Sequence, residues 1–188
     1  MKNEQLTISE INLPADKEEI MSWETNFANS KGMSAIEQFV LEYRLIRDLG
    51  ELIETNYERY PIGDNEMKKM FVLRNKSNKI VAFSVVDTFK FEGSAPEAFL
   101  QYMVVHPQLQ HKGYGSILFD EIMTILKNFY PNENINFFTY IDKRNTASKS
   151  FFEKKGFSIR ALNDPNFEKA WSDSRLIEQA KITQKNLE

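Results

Sequence analysis

Hydrophobic positions along the chain change their spacing several times, and each change predicts a new element. Across residues 15–62, apolar side chains recur every three or four positions, which is the spacing of amphipathic helices. Pro61 and Gly63 then end that pattern. Two β-rich runs follow, KKMFVLRN and KIVAFSVVDTFKF, and the polar stretch KSNK between them predicts a hairpin turn.

The second half of the chain alternates between strand and helix patterns. Residues 97–105, EAFLQYMVV, are nearly all apolar and predict a central strand buried on both faces. From Tyr114 the spacing becomes helical as far as Pro131, and residues 135–141 predict another strand. A short helix follows at 145–157, and the segment FSIRAL predicts one more strand.

This order of elements predicts the fold class, α/β of the α+β kind, with a mixed sheet and helices packed on it. At 188 residues, a single domain is the default expectation. Within that domain the pattern separates a helical N-terminal region, 1–66, from a core, 67–162. The charged tail, 163–188, is predicted to be helical.

Composition excludes several classes of protein. There is no cysteine, so disulfides, thiolate metal sites and a cysteine nucleophile are excluded, and the two histidines lie in no HExxH motif that would favour a metal site. The chain has no apolar run near ~18 residues and its N-terminus lacks the apolar core of a signal peptide, so we expect a cytoplasmic protein without a membrane partner. A net charge of −3 argues against nucleic-acid binding.

Charge is unevenly distributed along the chain. Residues 15–66 contain twelve acidic and five basic residues, so the remaining residues carry the compensating positive charge. One interpretation is that both regions expose ordinary solvated helix faces. The other is that the N-terminal part meets something cationic and the rest holds something anionic.

Two glycines, Gly113 and Gly115, lie where the apolar strand gives way to the helix, in the stretch PQLQHKGYGSIL. A helix start leaves about four N–H groups without intrahelical partners, and the helix dipole favours an anion there. Lys112 adds a positive charge. The spacing therefore fits phosphate binding, and a tight strand–helix turn with purely steric glycines explains it equally well. Leu118 occupies the position that would complete a dinucleotide fingerprint, and no P-loop is present.

The same stretch, read as VVHPQLQHKGYGSIL, resembles the signature of the GNAT N-acyltransferase superfamily, in which V-x-P precedes Q/R-x-x-G-x-G/A. A second segment, NTASKSFFEKKGF, is similar to the N-x-x-A-x-x-x-Y-x-x-x-G-F block of that superfamily. Its alanine stands one place early, at Ala147, and Phe152 replaces the tyrosine. The resemblance extends from the hairpin to Phe157, and residues 1–66 show no comparable signature.

The resemblance implies a fold and an acyl donor. The fold would be a mostly antiparallel sheet of six or seven strands with splayed central strands. The donor would be acetyl-CoA or another acyl-CoA, with its pyrophosphate on the loop, its pantetheine arm along the strand end and the later helix beside the arm. The donor-binding residues implied by position are Met103, Val104, Val105, Gln110, His111, Lys112, Gly113, Tyr114, Gly115, Ser116, Asn145 and Phe152.

Acyl transfer to an amine needs a neutral amine, donors for the oxyanion and a stabilised leaving thiolate. The resemblance implies that a backbone N–H of the splayed strand serves the carbonyl oxygen, and Met103 is the residue expected there, to within one position. Glu97 is the predicted base, because period-2 alternation places it on one face with Phe99, Gln101 and Met103. A surface glutamate at a loop end is the competing interpretation.

Other proton carriers are less favoured. Tyr102 and Tyr140 fit core aromatic positions better, and neither His106 nor His111 is favoured as a base. Many members of the superfamily carry a tyrosine that is thought to protonate the CoA thiolate, and Phe152 cannot do so. With a thiol pKa near ~8.5, CoA is a tolerable leaving group without a strong acid.

The resulting prediction is an N-acetyltransferase that transfers acetyl directly to a primary amine in a ternary complex. Residues 1–66 would form the acceptor side and 67–162 the acyl-CoA-binding core. The acceptor would be a small molecule or peptide, and the acidic excess gives a weak preference for a small cationic amine. A homodimer is left open. The alternatives are a non-catalytic acyl-CoA-binding or sensing protein and an unrelated nucleotide-phosphate binder.

Overall fold

A computed structural model describes residues 5–12, 15–23 and 67–173 of the chain. Within them, seven strands form one sheet: β1 Thr7–Glu10, β2 Lys68–Arg74, β3 Ile80–Phe89, β4 Glu97–Val105, β5 Asn136–Asp142, β6 Ser158–Ala161 and β7 Phe167–Asp173. The described helices are α1 Ala15–Met21, α2 Tyr114–Phe129 and α3 Thr146–Lys154, with a 3₁₀ turn at Pro107–Leu109.

The sheet is mixed and mostly antiparallel, with the strand order β1-β2-β3-β4-β5-β7-β6. Among the described strands, only β4 and β5 run parallel, and their register covers just Glu97–Phe99 against Asn136–Phe138. Beyond those three pairs the two central strands separate. The splayed central strands expected from the resemblance are therefore confirmed, as is the fold class.

A β-bulge interrupts β4 at Gln101. Val86 pairs with Leu100 and Val85 pairs with Tyr102, so Gln101 is the extra residue. The bulge moves every later side chain of β4 to the opposite face from the one that unbroken alternation predicts.

The two faces of the sheet are packed differently. On one face, α2 and α3 enclose the main core, where Phe119 contacts four other phenylalanine rings at centroid distances of 5.5 to 6.1 Å: Phe137, Phe151, Phe152 and Phe157. On the other face, Ile20 of α1 and Trp23 pack with Val72, Ile80 and Phe83. We refer to these as the α2 face and the α1 face.

Most of the predicted elements are present. Strand β4 has the predicted bounds, α2 ends before Pro131, and Gly156 follows α3 with a φ of 87°, in the left-handed region that glycine tolerates. In the hairpin turn, Asn78 also adopts a positive φ, 61°. No helix in the described ranges is long and apolar enough to span a bilayer.

Two sequence-based expectations were wrong in detail. The tail was predicted to be helical, but Phe167–Asp173 form strand β7, which pairs with β5 on one side and β6 on the other. Pairing on both edges outweighs the weak helical pattern of this charged segment. The N-terminal region also contains a strand, Thr7–Glu10, which pairs with β2. Most of the predicted N-terminal helices, and residues 174–188, lie outside the described residues.

Candidate functional site

The turn between β4 and α2 has an unusual backbone. After the 3₁₀ turn, His111 has a φ of 61° and Gly113 a φ of 84°, so two residues of one short loop adopt left-handed conformations. Glycine reaches that region without the clash of a Cβ atom, whereas His111 does so at a cost. His106 helps to fix the start of the turn, because its Nδ1 accepts a hydrogen bond from the N–H of Gln108 at 3.3 Å.

Gly113 is the N-cap of α2, and its carbonyl oxygen accepts the first intrahelical bond from the N–H of Ile117, at 3.1 Å. The first turn of an α-helix presents N–H groups that no intrahelical carbonyl can accept from, and in α2 this turn follows Gly113. Lys112 is exposed beside them. This combination of amides, helix dipole and ammonium group fits an anion such as a pyrophosphate.

Gly115 allows α2 to begin close to β4. A Cβ atom placed on Gly115 would lie 3.4 Å from Cγ2 of Val105, at the short end of ordinary van der Waals contact. The helix start is therefore held against the end of the splayed strand, and an anion on the loop would lie at the mouth of the gap between β4 and β5.

A side-chain hydrogen bond marks the point where β4 and β5 part. The hydroxyl of Thr139 donates to the carbonyl oxygen of Leu100 at 2.8 Å and replaces a ladder bond there. From Tyr102 to Val105, β4 pairs with β3 on one side and with no described strand on the other. Backbone groups along such an edge can pair with an extended ligand. We call this gap, from Leu100 and Thr139 to the loop, the wedge.

The structure does not bring Glu97 and Met103 together. They lie six residues apart on β4, which is about 20 Å at roughly 3.3 Å per residue. Met103 and Val105 pack against the α2-face core, whereas Tyr102 and Val104 pack with Trp23 and Phe83 on the other face. The expectation that Glu97 and Met103 share a face was wrong, because the bulge at Gln101 reverses the alternation.

The helix-α3 residues have structural partners. The side chain of Asn145 caps α3 by accepting a hydrogen bond from the N–H of Ser148 at 3.0 Å. Phe152 is 4% exposed and contacts the rings of Phe119, Phe151 and Phe157. These contacts account for both residues as packing and capping groups, and their contact with the pantetheine arm stays a prediction.

We call the closed end of the wedge, at Leu100 and Thr139, its apex. On the α1 face, a polar and aromatic cluster surrounds this apex. Asp87 of β3 is buried and accepts a hydrogen bond from Nε2 of Gln101, while Phe99 stacks on Phe138 with centroids 5.0 Å apart. The ring of Tyr140 contacts Phe99 edge-on at 5.4 Å. Sequence reasoning missed Asp87, although an aspartate inside the apolar run IVAFSVVDTF was a visible signal.

Among the N-terminal aromatic residues, Trp23 lies within the part of the chain that the structure describes. Trp23 is buried, with its ring 5.7 Å from that of Phe83 and 5.0 Å from the imidazole of His106. It therefore packs between α1 and the strand ends. The acidic N-terminal region, apart from residues 15–23, lies outside the described residues.

One carboxyl group near the end of β5 has a shifted pKa. A side-chain hydrogen bond from Arg144 lowers the pKa of Asp142 below its ordinary value, against the opposing effect of burial. The two side chains meet at 2.7 Å and 2.9 Å, and the Arg144 N–H donates to the same carboxylate. This ion pair fixes the turn between β5 and α3.

Comparisons with known proteins agree with this geometry. The sequence model of the acetyltransferase (GNAT) family matches residues 34–157. No curated protein sequence matches the chain.

Solved structures with the same fold cover nearly the whole chain. AtaTR bound with acetyl-CoA is 17% identical, with 93% of this chain and 96% of that chain covered and a TM-score of 0.56. A spermidine N-acetyltransferase SpeG chimera from Vibrio cholerae and hSSAT is 14% identical, with coverages of 94% and 98% and a TM-score of 0.58. The KacTA–DNA complex is 18% identical, with coverages of 95% and 99% and a TM-score of 0.54.

Proposed function

Since the chain belongs to the GNAT family of acetyltransferases, we propose that it transfers the acetyl group of acetyl-CoA directly to a primary amine, in a complex that holds both substrates. The observation that carries the proposal is the turn from β4 to α2, where His111 and Gly113 adopt positive φ beside the open edge of β4. The turn suits an anion and the open edge suits an extended arm, and acetyl-CoA has both.

The donor would lie along this turn and the wedge. The loop amides from His111 to Ser116, with Gln110 and Lys112 beside them, are assigned to the pyrophosphate. Met103, Val104 and Val105 are assigned to the pantetheine arm, which would pair with the free edge of β4 as an added strand does. The thioester would then point towards the apex, near Leu100 and Thr139.

The bulge supplies the electrostatic part of the reaction. It interrupts the ladder at Gln101, and we assign the thioester carbonyl oxygen to the backbone N–H of Met103 or its neighbour. A donor of this kind typically contributes about 10²- to 10³-fold to kcat. The sequence has no cysteine, so no thiol is available for a covalent acyl-enzyme, which favours direct transfer.

Departure of the CoA thiolate requires no acid from α3 in this proposal. Phe152 has no hydroxyl and lies within the aromatic core. A thiol pKa of about 8.5 makes the thiolate a fair leaving group near neutral pH. Its proton would come from the attacking amine or from water.

We assign the acceptor to the class of small cationic amines. The support is the acidic excess of residues 15–66, which belong to the acceptor side of the proposed domain division. The division into acceptor side, acyl-CoA core and tail stays a prediction. So do a homodimer, a cytoplasmic location and the absence of a nucleic-acid partner.

The test is thiol release from acetyl-CoA by the purified protein, across primary alkylamines from butylamine to spermidine. Amine-dependent release, with an acetylated amine identified by mass, is the expected result. Binding of acetyl-CoA without release by any amine would contradict the proposal and favour a non-catalytic acyl-CoA sensor, which the buried, hydroxyl-free Phe152 also fits. Displacement of acetyl-CoA by equimolar ATP would instead indicate a nucleotide-phosphate site.

A further inference from the structure

A carboxylate is buried in the middle of β3, on the α1 face of the sheet. Asp87 is 7% exposed, and the preceding residues Val85 and Val86 are almost wholly buried. An ionised carboxylate loses hydration on burial, which is unfavourable unless polar partners compensate. A polar residue that interrupts the apolar pattern of a central strand is a candidate for a functional role.

The bulge aims a second polar group at this carboxylate. Gln101 is the extra residue of β4, and its Nε2 donates a hydrogen bond to Oδ2 of Asp87. Bulges commonly redirect a side chain beside an active site. This hydrogen bond holds the Asp87 carboxylate in one orientation.

The pair lies beside the apex of the wedge. Asp87 is the register partner of Phe99, which is in turn the last β4 residue to pair with β5. Neighbouring strands are about 4.8 Å apart, so Asp87 is one strand spacing from the point where β4 and β5 separate. Gln101 follows Leu100, whose carbonyl oxygen accepts the Thr139 hydrogen bond at that point.

An acceptor can approach this apex from one side of the sheet. On the α2 face, Leu118 and Phe119 are 0% exposed and belong to one packed cluster with Leu100 and Phe137. On the α1 face, Phe99 is half-buried and the phenol of Tyr140 is 48% exposed. Among the described residues, the less enclosed side of the apex is therefore the side that carries Asp87.

The surroundings of Asp87 suit an organic cation. Phe99 stacks on Phe138 with planes 13° apart, and Tyr140 meets both rings edge-on at 5.4 Å and 5.9 Å. Aromatic faces attract ammonium groups, and Lys169 already shows this here, with Nζ 4.0 Å from the Phe138 ring centroid. A carboxylate beside aromatic rings is a combination that binds alkylammonium compounds.

We propose that Asp87 binds the acceptor's ammonium group and accepts one of its protons, with Gln101 as the residue that positions the carboxylate. Phe99 and Tyr140 flank the alkyl part of the acceptor. This inference rests on the acetyl transfer and the cationic acceptor proposed above, and it adds the residues that bind the ammonium group and accept its proton.

In the proposed acetyl transfer, the acceptor enters as an ammonium ion, R–NH₃⁺. One proton passes from nitrogen to the Asp87 carboxylate, and the freed lone pair forms the N–C bond at the thioester carbonyl carbon. The C–S bond breaks and its electron pair goes to sulfur. The second proton moves from nitrogen to the thiolate, directly or through water, and the Asp87 proton returns to solvent.

Other ionisable residues share this part of the sheet. Lys68 is the register partner of Asp87 on β2, and Lys169 lies on β7 beyond Phe138. Tyr102 and Tyr140 carry the neighbouring phenols. Glu97, the base predicted from sequence, precedes Phe99 by two residues, about 7 Å at roughly 3.3 Å per residue, against one strand spacing of about 4.8 Å for Asp87. Glu97 is thus the more distant carboxylate from the apex.

The decisive comparison is Asp87→Asn against Glu97→Gln, with Glu121→Gln on the exposed surface of α2 as the charge-matched control. We expect Asp87→Asn to lower kcat/KM for hexylamine by about 100-fold or more, the usual scale for a lost base. The acetyl-CoA affinity measured by calorimetry should be unchanged. The deficit should shrink as pH approaches the amine pKa of about 10.4, where the acceptor is already neutral.

Gln101→Leu tests the positioning role. Loss of the Nε2 donor destabilises the carboxylate form of Asp87, so the acidic limb of the kcat/KM profile should move to higher pH. An amide with only a structural role would leave that limb in place. A wild-type profile in Gln101→Leu would remove the positioning role.

A wild-type experiment keeps the inference testable even if Asp87→Asn fails to fold. Hexyltrimethylammonium should compete with hexylamine in thiol release, and 1-hexanol should not, because only the former carries the charge that Asp87 binds. Equal competition by both, or wild-type kcat/KM at every pH in Asp87→Asn, would overturn the inference while wild-type transfer continues. A wild-type protein without amine-dependent release would instead overturn the proposed function.

Discussion

The proposed donor loop, Gln110 to Ser116, and the proposed acceptor cluster around Asp87 lie at opposite ends of one wedge, but they are encoded differently. The loop is continuous in sequence, from Gln110 to Ser116, and its geometry depends on local features: two positive φ values and a helix start. The cluster is assembled from β3, β4 and β5, and it depends on a bulge and on pairing register. A local site can be recognised in the sequence, whereas an assembled site needs the fold.

The largest expected effect is the loss of acetyl-CoA binding when the proposed donor loop alone is changed. Gly113→Glu should abolish acetyl-CoA binding, because the side chain would bring a like charge to the pyrophosphate and Gly113 has a φ of 84° that glutamate tolerates poorly. Gly93→Glu is the matched control, since Gly93 also has a positive φ, 75°, and its Cβ would meet nothing within 4 Å. Calorimetry that shows equal acetyl-CoA affinity in the two variants would remove the donor from this loop.

A second substitution tests whether α3 takes part in the reaction of the donor or only packs in the core. Phe152→Tyr should lower the free energy of unfolding by roughly 1–3 kcal/mol, because the added hydroxyl is buried among phenylalanine rings. Turnover should change little. The control is Phe151→Tyr, which starts from a half-buried ring. A tenfold rise in kcat for Phe152→Tyr would show that thiolate departure limits the rate.

Substitutions at His111 test whether the left-handed backbone of the loop is needed for acetyl-CoA binding. His111 has a φ of 61°, which asparagine adopts more readily than a β-branched residue. His111→Val should weaken acetyl-CoA binding by about tenfold, since a left-handed backbone costs roughly 1–2 kcal/mol per residue. His111→Asn should bind nearly as well as the wild type. Equal affinities for the two variants, measured by calorimetry, would separate the loop conformation from donor binding.

The smallest expected effect is on stability, and it comes from the Asp142–Arg144 ion pair, which belongs to neither end of the wedge. The pKa of Asp142 is lowered by Arg144, so the folded carboxylate is stabilised above the unfolded pKa and that stability is lost as pH falls through the folded pKa. Arg144→Met should therefore lower the unfolding temperature at neutral pH, and the difference should begin to shrink below pH ~4 and vanish once pH is below the folded pKa. A difference that persists undiminished in acid would mean that Arg144 acts through packing.

The contrast between local and assembled features also explains what the sequence predicted. Strand β4 and helix α2 follow from runs whose periodicity is unambiguous, and Gly113 marks the turn between them. The bulge at Gln101 has no local signature, so alternation placed Glu97 and Met103 on one face. Strand β7 carries charges that resemble a solvated helix, and only its partners β5 and β6 make it a strand.

Direct transfer requires one complex that holds protein, acetyl-CoA and amine together. Initial rates of thiol release, measured while both acetyl-CoA and hexylamine are varied, should give double-reciprocal lines that intersect. The intact protein should carry no acetyl group after incubation with acetyl-CoA alone. Parallel lines, together with an acetylated protein detected by mass, would contradict direct transfer across the wedge.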